Sequence, residues 1–62
     1  MKVIEVFYSY YEETFNKLDS SIVIHESEEK AKMLIKEVYG YMSGFKITKC
    51  IEFDLIKPRI LE

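Results

Sequence analysis

The opening run KVIEVFYSYY, residues 2–11, constrains the fold more than any other part of the chain. It is rich in β-branched and aromatic residues and holds no glycine or proline, which is the composition of a strand. Alternation puts Ile4, Val6, Tyr8 and Tyr10 on one face, and Val3, Glu5, Phe7, Ser9 and Tyr11 on the other. Both faces carry large side chains. The rest of a 62-residue chain must therefore supply neighbours for this strand and cover for its surfaces.

A second strand is expected at residues 20–26, SSIVIHE. The intervening residues 12–19, EETFNKLD, read two ways. Tyr11, Phe15 and Leu18 are spaced as on a helix, whereas the polar stretch Asn16–Asp19 suits a turn. Either way the segment is too short for a parallel crossover, which needs about a dozen residues, so the first two strands should be antiparallel. Ser27 then reads as a helix N-cap, with Glu28 and Glu29 in the first turn, where the helix dipole favours acids. The spacing predicts a helix to about Met42, with Ala31, Leu34, Ile35, Val38 and Met42 as its apolar stripe. Glu28 and Lys32 are paired at i,i+4, Gly40 marks fraying, and Gly44 suits the residue after the cap.

The third strand is expected at residues 45–57, FKITKCIEFDLIK. Phe45, Ile47, Ile51, Phe53 and Leu55 share a face broken only by Lys49, with Lys46, Thr48, Cys50, Glu52 and Asp54 opposite. Pro58 stops the ladder or confines this strand to an edge. The order β-β-α-β points to a single α+β domain over residues 1–62. Its sheet is three-stranded and mainly antiparallel, in the order 2-1-3, with one helix packed on one face.

Much chemistry is set aside by composition. The apolar runs fall short of the roughly 18–20 residues of a membrane span, and the acid at Glu5 interrupts any signal-peptide core. The lone Cys50 cannot form an internal disulfide, and no Cys/His spacing suits a metal. A cytoplasmic protein without cofactor or metal is expected. Net charge is −2 with both signs mixed along the chain, so general nucleic-acid binding is not expected. His25 has no motif context for catalysis despite Ser20, Ser21 and Ser27 nearby, and an inert thiol is expected at Cys50. The expectation is a non-enzymatic protein.

One helix covers only one face of a sheet. Ile4, Val6, Tyr8 and Tyr10 are the natural partners of the helix, which leaves Val3, Phe7, Tyr11, Val23, Ile60 and Leu61 over. Small monomers seldom expose a contiguous apolar patch without using it. A chain of this size without staples is also marginally stable alone. Self-association through these six residues or a strand edge is expected, with a protein partner to be masked or sequestered. The competing cover is the chain's own 12–19 segment and tail. A second reading is an oligomer with pockets between chains that sequesters a nucleotide-type signal. There Tyr8, Tyr10, Tyr39 and Tyr41 would stack on bases, and Lys46, Lys49 and Arg59 would meet phosphates. A ligand-free structural accessory subunit is a third.

The strand-to-helix junction Ser27-Glu28-Glu29-Lys30-Ala31 and the closing strand ITKCIEFDL resemble those of small phage and mobile-element β-β-α-β proteins. That resemblance implies an inhibitor directed at a host defence protein, as in anti-CRISPR proteins, or a sponge for immune nucleotide signals.

Overall fold

The computed structural model describes residues 1–53. Strand β1 spans Lys2–Glu12, β2 Phe15–His25, helix α1 Glu28–Tyr39 and β3 Lys46–Phe53. The sheet is antiparallel throughout, in the order β2-β1-β3, with the helix on one face. This is the expected α+β architecture. Positions 54–62, including Leu55, Pro58, Arg59, Ile60 and Leu61, lie outside the described residues.

Residues 12–19 form neither a helical turn nor a cover. They extend the first two strands into one long hairpin, closed by the pair Glu12 and Phe15 around a turn at Glu13 and Thr14. Glu13 takes φ 59°, the positive value that hairpin turns with the right twist require at their first central position. This turn fixes the register, setting Ile4 opposite Val23 and Glu5 opposite Ile22. Val23 is thereby a core residue, 7% exposed beneath the helix, and not one of the surplus. Ile22 and Ile24 point to the uncovered side instead, and both are exposed.

A second correction concerns β3. Its pairing with β1 steps from Phe7–Lys49 to Tyr8–Ile47, so Thr48 is the extra residue of a β-bulge. The bulge reverses the facing of the strand beyond it. Ile47 and Cys50 both pack toward the helix, while Lys49, Ile51 and Phe53 sit opposite Phe7, Glu5 and Val3 on the open side. Strict alternation without the bulge places Ile51 and Phe53 with the helix and Cys50 away from it.

The helix begins as expected. Ser27 has extended backbone and its Oγ accepts from the Lys30 N–H at 3.3 Å. It ends earlier than expected, at Tyr39, with Gly40 as the C-cap. The stripe that meets the sheet is Ala31, Ile35 and Tyr39, with Met42 beyond the end. Leu34 and Val38, expected in the core, are exposed along one flank. The i,i+4 ion pair at the helix start is Glu26–Lys30, 2.7 Å.

Among the described residues the buried core is Ile4, Val6, Tyr8, Val23, Ala31 and Ile35. Tyr8 anchors one end. Its ring stacks on Tyr39 at 5.3 Å, with Phe45 at 5.5 Å and Tyr10 at 6.3 Å, and its hydroxyl shares a hydrogen bond with Ser21 Oγ. The turn after the helix is latched to β1 by the Tyr11 N–H, which donates to the Ser43 carbonyl at 2.8 Å. No helix among the described residues is long and apolar enough to cross a membrane.

Candidate functional site

The open face of the sheet is the candidate site. Register builds it row by row. Val3 lies between Ile24 and Phe53, Glu5 between Ile22 and Ile51, and Phe7 between Ser20 and Lys49. Ser9 lies beside Leu18 and Lys46. Leu18, Ile22 and Ile24 are 77%, 66% and 64% exposed. At ~3.4 Å per residue and ~4.8 Å between strands, this face projects to roughly 300–350 Å² with Glu5, Ser9, Ser20, Lys46 and Lys49 included, and contiguous apolar patches of a few hundred Å² are often functional.

The face is not uniformly apolar. Glu5 sits near its middle, ringed by Val3, Phe7, Ile22 and Ile51, and its Oε2 accepts from Ser20 Oγ at 2.8 Å. Lys49 Nζ stands 4.8 Å from the centre of the Phe7 ring, a cation–π contact. A shallow open groove of about 530 Å³ crosses here, lined by Phe7, Tyr8, Leu18, Asp19, Ser20, Thr48 and Lys49. One carboxylate and one ammonium fixed in an apolar field give orientation to whatever packs on the face.

The residues expected from sequence divide across the sheet. Val3 and Phe7 lie on the open face. Tyr11 is exposed at its far end, beside Gly44. Tyr8 is buried at 3% exposure, and Tyr10 and Tyr39 are partly buried against it on the helix side. Lys46 and Lys49 lie on the open side, and Tyr41 is exposed in the turn after the helix. Within one chain the sheet thus separates most of the tyrosines from the lysines. Leu18, Ile22, Ile24 and Ile51 escaped sequence reading, because the faces of β2 and β3 follow from the turn at Glu13–Thr14 and the bulge at Thr48.

The polar groups near His25 are used structurally. His25 Nδ1 accepts from the Glu26 N–H at 2.8 Å. Ser20 bonds Glu5, Ser21 bonds Tyr8 and Ser27 caps the helix. Burial pushes the Cys50 thiol above its ordinary value and Glu28 adds to this, while Lys32 opposes it. Desolvation likewise raises the Tyr10 hydroxyl, with Asp19 and Glu12 adding to it. Among the described residues no group of three or more His, Cys, Asp or Glu could hold a metal ion.

Comparison with protein-family models, with curated proteins and with solved structures finds no match to the chain.

Proposed function

We propose that this protein is a small, cytoplasmic, non-enzymatic binding module that self-associates and masks or sequesters a protein partner. The carrying observation is the open sheet face, where Leu18, Ile22 and Ile24 stand exposed beside Phe7 and Ile51. Burying such side chains contributes about 25 cal/mol per Å² of apolar area, so a face of this size is a driving force for association. The fixed Glu5 and Lys49 charges select among partners. The likeness of the Ser27–Ala31 junction to small phage proteins makes a host defence protein the partner class to try first.

The test is Ile22→Glu, with Phe7→Glu as a second variant. Each places a charge on the open face, away from the helix-side core. Light scattering after size exclusion should find the wild type associated and both variants in smaller species, with the wild-type circular dichroism spectrum retained. Folded variants that associate as the wild type does overturn the role of this face.

A further inference from the structure

Among the described residues no strand pairs with the outer edge of β2, along 11 residues that hold no proline, glycine or bulge. The hairpin register sets the phase of that edge. With Glu12 and Phe15 closing a two-residue turn, the backbone groups of the odd-numbered residues of β2 bond to β1, and those of Asn16, Leu18, Ser20, Ile22 and Ile24 point outward. Ser20 agrees with this phase: its N–H donates to Asp19 Oδ1 at 2.8 Å. Lys17 and Asp19 are exposed on the helix side of the edge, and Leu18 between them is on the open side.

We propose that a second copy of this chain pairs on this edge, β2 against β2 and antiparallel, about a two-fold axis at Leu18. This rests on the self-association proposed above and names its edge and register. A two-fold axis normal to the sheet keeps both open faces on the same side, and pairs even positions with even and odd with odd. Charge then chooses the register. Centred on Lys17 or on Asp19, the pairing sets like charges directly opposite. Centred on Ser20, it sets Asp19 against Ser21 and Lys17 against Val23. Centred on Leu18, it sets Lys17 of each copy against Asp19 of the other, twice.

In that register the Asp19 carboxylate exchanges the Ser20 N–H for an ammonium group. The freed N–H bonds the Asn16 carbonyl of the second copy, and the two Leu18 side chains meet on the open side. The open faces join into one six-stranded surface, wider than either copy offers alone. Charged residues on an edge strand ordinarily discourage wrong pairing; here their alternation admits one pairing.

The experiment is a charge swap in the full chain, read by sedimentation velocity. Lys17→Asp and Asp19→Lys, both at exposed positions, should each weaken dimerisation at least about tenfold, since each turns two attractive pairs into repulsive ones. The double variant, Lys17→Asp with Asp19→Lys, should restore it. As a second measurement, Leu18→Cys with Cys50→Ser should oxidise to a linked dimer, because directly opposed residues of a hydrogen-bonded pair lie about 5.5 Å apart at Cα, within disulfide range. Single variants that dimerise as the wild type does, or a double variant as weak as the singles, overturn the register. If such a charge-insensitive dimer is abolished by Ile22→Glu, the self-association reading stands and the β2 edge falls. A wild type that stays monomeric at every concentration overturns both.

Discussion

Among the described residues two backbone positions carry positive φ, and their chemistry differs. Glu13 adopts φ 59° at the hairpin turn although its side chain disfavours that region. A left-handed conformation costs an ordinary residue roughly 1–2 kcal/mol, partly offset by the greater unfolded-state entropy of glycine. Glu13→Gly should therefore stabilise the protein by about 0.5–1 kcal/mol, read as a higher urea midpoint at unchanged slope. Gly44 at φ +65° is already the right residue, and a Cβ there would lie 2.4 Å from Tyr11 Cδ2. Gly44→Ala meets both the backbone cost and the ring, so a loss of about 1–3 kcal/mol is expected. Cys50 and Tyr10 make a further residue-scale prediction. Both are raised in the folded chain, so each favours folding fully below its ordinary value, 9.0 for the thiol and 10.0 for the phenol. That contribution is lost as pH climbs through the raised values. Stability should hold flat through neutrality on account of these two groups and fall above pH 9, with a smaller fall in Cys50→Ala. An identical alkaline profile in that variant would remove Cys50 from the account.

At the scale of elements, the helix start and the strand order were legible because local chemistry decides them. Ser27 followed by Glu28 and Glu29 is a cap in any context, and the interval between the first two strands forbids a parallel crossover. Ser27→Ala removes the acceptor for the Lys30 N–H and should cost about 1 kcal/mol, measured by chemical denaturation. Facing within β2 and β3 was not legible, for a different reason. Alternation gives two sets of residues on a strand and never says which set looks at the helix. The turn at Glu13–Thr14 decides this for β2, and it carries none of the Asn-Gly or Asp-Gly signals that mark such hairpins in sequence. The bulge at Thr48 decides it for β3. One sign of the bulge was present: Lys49 broke the apolar face of an otherwise regular strand, as expected where the phase changes. The helix stripe failed by a smaller angle. Ala31, Leu34, Ile35 and Val38 are all apolar, but the helix docks on the side of Ala31, Ile35 and Tyr39, which frees Leu34 and Val38. On that side Tyr39 stacks on Tyr8, a tertiary contact with no local signature.

At the scale of the molecule, the balance of core against surface argues for association. Among the described residues six form the buried core, and the exposed set includes Leu18, Ile22, Ile24, Met33 and Val38. Domains of about 60 residues bury only ~60% of their unfolded surface, which leaves little margin when half of a sheet faces water. A dimer changes this, since anything that binds the folded chain alone adds stability by mass action. Unfolding then becomes a reaction of one dimer into two chains, and each tenfold rise in protein concentration adds about 1.4 kcal/mol per dimer. For a chain of this size that moves the melting temperature by several degrees. Calorimetry across a hundredfold concentration range should show that climb in the wild type. Ile22→Glu should melt lower, with a weaker dependence on concentration. A wild-type melting temperature that does not move with concentration would mean that the chain's own core suffices and that the open face serves only a foreign partner.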